Sequence, residues 1–344
     1  MIHRYNLLLK HGIFIYIMQK NDQIDPILDS TNFRMTFYPI KFRDIYDEYK
    51  TQLASIWTIE EVDLSEDRDD WEKKLTNDER YFISNILAFF ASSDNIVNIN
   101  LVENFINDVK IPEAQVAYRF QAMMEDIHAE SYSLMIDTFI RNNDEKDKLF
   151  NAITTIPCVN KKAKWAFKWI NDKNAPYSIR LIAFAIIEGI FFSGSFCAIY
   201  WLRNRGLMPG LCKFNDFIAR DEGKHTDFAC LIYNNYITNK VDTNIVHQVF
   251  KEAVEIEKEF ITESIPCNMI GMNQELMCQY IEYVADRLLG KLNLPPIYNS
   301  ENPFEFMIYI SLQGKSNFFE SRPTEYQNAH VLNQNKAFTL EEDF

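Results

Sequence analysis

Glycine is scarce in this chain, with nine among 344 residues, under half the roughly 7% of an average protein. That scarcity excludes collagen-like repeats, Gly-rich linkers and most turn-dense β folds. Neither G-x-G-x-x-G nor G-x-x-x-x-G-K-[ST] occurs, so both familiar phosphate-cradling loops are missing. No two of the six cysteines (Cys158, Cys197, Cys212, Cys230, Cys267, Cys278) form a C-x-x-C pair. This argues against a disulfide frame or a zinc site and for reduced thiols in a cytoplasmic protein. No uninterrupted run of 18 apolar residues exists, so no membrane span is expected. Basic charge is also short. The 35 Lys and Arg stand against 49 Asp and Glu, a net charge of −14, which disfavours nucleic acid and anionic membranes as partners.

Aromatic residues are abundant, at 14% of the sequence with 27 Phe, so a large and bulky core is expected. Residues 1–18 (MIHRYNLLLKHGIFIYIM) are broken by Lys10 and His11. They read either as a loosely docked arm or as a leader ahead of a true start at Met18. Thr76 and Glu79 fit a capping box for a helix running to about Val109, with Pro112 as the break. Further helices are predicted over about 113–141 (closing on the charged DEKDK), between Pro157 and Pro176, and over 179–205, 215–238, 243–264 and 274–291. Strand-like alternation is nearly absent, so the expected fold is an all-α bundle of long helices.

Several acids fall on the dry faces of these helices. Asp94 lies within the stripe Ile83, Leu87, Phe90, Val97, Leu101. Glu125, His128 and Tyr132 share a face with Tyr118, Met135 and Phe139. Glu188 lies between Phe184 and Phe192, and Glu222 and His225 between Ile218 and Ile232. A buried carboxylate must be paired, protonated or metal-bound. A single Glu-x-x-His pair carries little weight, because chance supplies about one in every two sequences of this composition. The order is more specific: acid, Glu-x-x-His, acid, Glu-x-x-His, once in each half. That is the ligand set of ferritin-like dinuclear carboxylate proteins, here with one Asp among the single acids. Oxygen ligands with two imidazoles suit iron or manganese better than copper or zinc. The same six ligands would also serve a diiron oxygenase or desaturase, an iron store, or a scaffold paired with an active homologue.

The sequence resembles the small subunit of class I ribonucleotide reductase, in the form found in eukaryotes and large DNA viruses. The resemblance runs from about residue 26 to the end. It is carried by ASIWTIEEVDLSED (54–67), LAFFASSDNIV (87–97), MEDIHAESYSLMIDT (124–138), IEGIFFSGSF (187–196), ARDEGKHTDFACL (219–231) and the terminal FTLEEDF (338–344). Ile99 and Arg119 depart from the family pattern, where Glu and Gly are usual, and so does the segment 174–179.

The resemblance implies a ferritin-like diiron domain over 26–320, a variable arm over 1–25 and a flexible tail over 321–344. Asp94, Glu125 and His128 would hold one iron, and Glu188, Glu222 and His225 the other, in an oxo-bridged pair that manganese could replace. Tyr132 would carry a stable radical, formed when the reduced site cleaves O2 and enclosed by Phe192 and Phe196. Trp57 would pass electrons, and Asp221 would link it to His128. Tyr326 would relay the radical to a large subunit, which the tail anchors Phe338, Leu340 and Phe344 would dock. A homodimer is also implied. An oxygenase would need neither Tyr132, Trp57 nor the tail. Storage proteins of this kind are usually much shorter, and a scaffold would more naturally have lost a ligand.

Overall fold

A computed structural model describes residues 23–172, 174–264 and 273–307. Among these residues there are helices and no strands. The fold runs through α1 (Arg43–Leu53), α2 (Ser65–Lys73) and α3 (Asn77–Asn100), which continues through a π-helical turn (Leu101–Phe105) to Asp108. Next come α4 (Pro112–Phe139), α5 (Asn143–Phe150), α6 (Pro157–Asn171) and α7 (Tyr177–Ile186). A second π-helical segment (Ile187–Phe191) joins α7 to α8 (Ser193–Asn204). The last helices are α9 (Pro209–Tyr236), α10 (Thr243–Ser264) and α11 (Gln274–Lys291).

The four helical units that bear the dry-face acids form the ferritin-like core. Helices α3 and α4 pack together more extensively than any other pair, and α9 packs on α7, α8 and α4. Outside this core, α10 packs on α6 and α11. The α3 and α7–α8 units are long and apolar enough to cross a bilayer, but the most apolar stretch of the second is wholly buried inside the bundle. Its hydrophobicity is therefore spent on the core.

Local signals explain several boundaries. The Thr76 side chain accepts the Glu79 N–H, and the Glu79 carboxylate accepts the Thr76 N–H at 2.7 Å, so the capping box is complete. Pro112 and Pro209 occupy the first helical positions of α4 and α9, where a missing N–H costs nothing. The sequence pattern alone puts both outside helices. The charged DEKDK stretch does not close α4; it starts a separate helix, α5, whose cap is Asn142 accepting the Glu145 N–H. The start of α9 is held by α2. Asp67 accepts from the N–H groups of Gly210 and Leu211 at 2.8 and 2.6 Å, and Asp70 from Met208 at 2.8 Å. Gly210 is needed here, because a Cβ would lie 2.5 Å from the Asp63 carbonyl oxygen. The five described cysteines are free. Residues 1–22, Cys267, Tyr326, Phe338, Leu340 and Phe344 lie outside the described residues.

Candidate metal centre

Four helical units converge on one buried cluster. Helix α3 supplies Asp94, α4 supplies Glu125 and His128, the second π-helical segment supplies Glu188, and α9 supplies Glu222 and His225. Each of these residues is at most 1% exposed. Donor atoms of Asp94, Glu125 and His128 lie within 4.8 Å of one another, as do those of Glu125, Glu188, Glu222 and His225. Glu125 belongs to both groups. The Nδ1 atom of His225 is 2.9 Å from both Glu125 and Glu222, and Nδ1 of His128 is 3.0 Å from Glu222. Glu125 and Glu222 are thus the central carboxylates, flanked by Asp94 on one side and Glu188 on the other.

Apart from these short ion contacts with one another, the donors have almost no hydrogen-bond partners. Both oxygens of Glu125, Glu188 and Glu222, one oxygen of Asp94, and Nδ1 of both histidines are buried without one. Asp94 has only a long contact from Ser93 Oγ, at 3.4 Å. Leaving this many polar atoms unsatisfied in a core is costly unless a cation completes the site. The donor set, oxygen-rich with two imidazoles, fits two divalent ions of the iron or manganese type.

Protons stand in for that charge in the metal-free protein. Burial, with Glu125 and Glu222 adding repulsion, pushes Asp94 well above the usual carboxylate range. Burial, with Glu222 and Glu125, does the same to Glu188. Burial opposes charge on Glu222 too, but His128 and His225 outweigh it and hold that carboxyl at about 2. Burial also opposes charge on the imidazoles. The carboxylates prevail, lifting His225 to about 9 and His128 well above its ordinary value. Metal ions entering this site would displace those protons.

Behind His128 lies a second row of contacts. Its Nε2 is 3.3 Å from Asp221 Oδ2, and the Trp57 indole N–H donates to the same oxygen at 2.7 Å. The Trp57 and His128 rings are stacked, 5.9 Å apart. Burial would raise Asp221, but Arg220, His128 and Lys224 hold its carboxyl well below the usual range. Arg220 Nε donates to Asp221 at 3.2 Å, and its Nη2 donates to the Ser55 carbonyl at 2.7 Å. Lys224 Nζ donates to Ser55 Oγ at 2.8 Å. These two basic residues tie the segment around Trp57 to α9. Sequence reasoning misses them; their i, i+4 spacing on a ligand-bearing helix is the available signal.

Tyr132 is 1% exposed, and its hydroxyl has no hydrogen-bond partner. Burial, then Asp94, Glu222 and Glu125, push its pKa well above the ordinary value. The ring stacked on it is Phe90, 4.4 Å away and nearly parallel. Phe192 and Phe196 pack in turn on Phe90, at 5.5 and 5.1 Å. The sequence marks Phe90 only as part of an apolar stripe. Ile99 and Arg119, two of the three departures, are exposed and outside the site.

A family model described as ribonucleotide reductase, small chain, matches residues 34–303. The protein is 52% identical over 337 residues to the ribonucleoside-diphosphate reductase small subunit of Dictyostelium discoideum, covering 95% of its own length and 99% of the relative. It is 54% identical over 322 residues to ribonucleoside-diphosphate reductase subunit M2 of Danio rerio, covering 93% and 83%. Among solved structures, the ribonucleotide reductase Rnr4 homodimer of Saccharomyces cerevisiae superposes with a TM-score of 0.76 at 39% identity, covering 84% of this protein and 91% of that one. The dimanganese(II) NrdF of Streptococcus sanguinis shares the fold, with a TM-score of 0.68 at 18% identity, covering 79% and 97%.

Proposed function

Because this chain belongs to the ribonucleotide reductase small-chain family, and so is a small subunit of ribonucleoside-diphosphate reductase, we propose that its buried cluster would hold two iron ions. Asp94, Glu125 and His128 would hold one ion, and Glu188, Glu222 and His225 the other. The observation that carries this reading is the set of buried donors left without hydrogen-bond partners where four helices meet. When bound, the ions supply reducing electrons to O2. Manganese satisfies the same donors.

The protein's own residues would perform three tasks. Asp221 accepts from both Trp57 and His128, which fixes the imidazole's tautomer and orientation. It also gives an electron entering at Trp57 a hydrogen-bonded route to the site. Phe90, with Phe192 and Phe196 behind it, keeps water from Tyr132. The phenol is held protonated, so removing an electron from Tyr132 requires the Oη proton to leave with it. The oxidising equivalent left on Tyr132 is what would be passed on.

We assign Tyr326 to that relay and the tail anchors Phe338, Leu340 and Phe344 to docking on the large subunit, on the strength of the family resemblance of TEYQ (324–327) and FTLEEDF (338–344). Residues 321–344 form the tail in this reading. A homodimer is proposed by analogy with the yeast structure, and a cytoplasmic location from the free thiols. The test is reconstitution. Metal-loaded protein mixed with a ribonucleotide reductase large subunit and a ribonucleoside diphosphate should yield the deoxyribonucleotide, and metal-free protein should not. Equal turnover with and without metal would refute the reading.

A further inference from the structure

A buried ion pair lies just outside the metal centre and has no part in the mechanism above. Lys162 of α6 and Glu257 of α10 are 1% and 0% exposed, and Nζ lies 2.6 Å from Oε2. The ammonium also donates to the carbonyl of Phe191 at 2.7 Å. It sits 3.3 Å from the Phe89 ring centroid and 4.1 Å from that of Phe260. One cation is thus enclosed by a carboxylate, a carbonyl and two aromatic faces. Gly194 completes the arrangement. A Cβ there would come within 2.8 Å of Glu257 Oε1 and 2.9 Å of Ile261 Cδ1, so a larger residue would push the Glu257 carboxylate and the Ile261 tip out of place.

The Phe191 carbonyl is the last of the π-helical segment Ile187–Phe191, which carries Glu188. A π turn inserts one extra residue into the α-helical ladder and has poorer bonds. Relaxing it to α geometry would shift the register by one residue, a rotation of about 100°, and carry Glu188 off the cluster. Phe192, immediately after the segment, keeps right-handed helical backbone angles, and its carbonyl accepts the Phe196 N–H at 3.0 Å, so the segment runs straight into α8. Ser193 Oγ ties back to the Ile190 carbonyl at 2.8 Å. Burial pushes Lys162 down to about 8 and Glu257 up to about 7, each restrained by its partner. Apolar side chains of similar size would fill this space at least as stably.

We propose that Lys162 and Glu257 are positioning residues: together they lock the π-helical segment 187–191 and so set where Glu188 presents its carboxylate. The inference rests on the metal reading above, because Glu188 is assigned there to one of two ions. The contact to the carbonyl of Phe191 places the constraint three residues from Glu188, on the same turn. Phe89, which faces the ammonium, also packs on Phe192 at 5.7 Å. The same lock therefore steadies a ring of the Tyr132 surroundings.

The test uses the full-length metal-free protein with Mn(II) as the probe, bound and free ion being counted by EPR. The variants are Lys162→Met and the double variant Lys162→Met with Glu257→Leu. The double variant leaves no buried charge unpaired, so it carries the test if the single one fails to fold. Wild type should take up two Mn(II) per subunit. In the double variant one of the two should bind at least about tenfold more weakly, while the metal-free melting temperature stays at or above that of wild type. Two Mn(II) bound by the folded double variant with wild-type affinity would overturn the proposal. Wild type binding fewer than two would instead overturn the metal reading, and the positioning role with it.

Discussion

Replacing Glu188 by Met should raise the stability of the metal-free protein and cut the stabilisation that metal adds. Glu188 is 1% exposed, and neither of its oxygens has a hydrogen-bond partner. A buried, unsatisfied polar group costs about 1–3 kcal/mol. Met is close to Glu in volume and has no such group, so metal-free Glu188→Met should gain roughly that amount. At about 2 °C per kcal/mol for a protein of this size, its melting temperature should rise by about 2–6 °C. Metal works the other way. An ion present at a hundred times its dissociation constant stabilises by about 2.7 kcal/mol. Two ions therefore give wild type about 5 kcal/mol, or about 10 °C. The variant should lose at least half of that gain, because the site of Glu188, Glu222 and His225 loses a ligand. Calorimetric melts with and without Mn(II) measure both effects. A metal-free variant that melts below wild type would show that Glu188 is a satisfied core residue. A variant with the full metal-induced rise would show that it is not a ligand.

Three further outcomes follow from the geometry. Asp221→Asn should weaken metal binding about 10–100-fold, because the amide lacks the negative charge behind His128 and its NH2 group would replace the oxygen that accepts from Arg220 Nε; isothermal titration with Mn(II) measures it, and unchanged affinity would contradict the assignment. Asp67 is pushed up to about 6, chiefly by burial against the bonds it accepts from Gly210 and Leu211. It therefore binds its proton more tightly in the folded state. Its contribution is full below about pH 4 and is lost as the pH rises through 6, so Asp67→Asn should gain on wild type across that window in melts at stepped pH, and a constant difference would contradict this. Removing residues 338–344 should abolish reductase activity with the large subunit while leaving metal and radical content intact; full activity of the truncated protein would refute the docking role.

Much of this architecture is legible in the sequence because the helices are long and their acids sit on the wrong face. Glu125 with His128 and Glu222 with His225 need only i, i+3 spacing on an apolar stripe to declare themselves. The start of α3 at Asn77 follows from a local capping box, so no tertiary knowledge is needed. The π-helical segment is not legible. Tyr177–Asn204 is apolar on every face, so a one-residue insertion leaves no break in its pattern. The expected stripe of Phe184, Glu188 and Phe192 assumes an α register that the backbone leaves at Ile187. Pro112 and Pro209 read as breaks because proline marks both the end of one helix and the first residue of the next. Phe90 on Tyr132, and Lys162 with Glu257, are pairs from different helices. Nothing in their local sequence announces them.

The radical assignment to Tyr132 has the most direct test. Metal-free protein is given Fe(II) and then O2, and its EPR spectrum is recorded beside that of Tyr132→Phe. The hydroxyl of Tyr132 has no hydrogen-bond partner, so the variant should fold and take up two irons as wild type does. The account predicts a tyrosyl signal in wild type and none in the variant. A wild type that binds iron without forming the signal, or a variant that keeps it, would contradict the account.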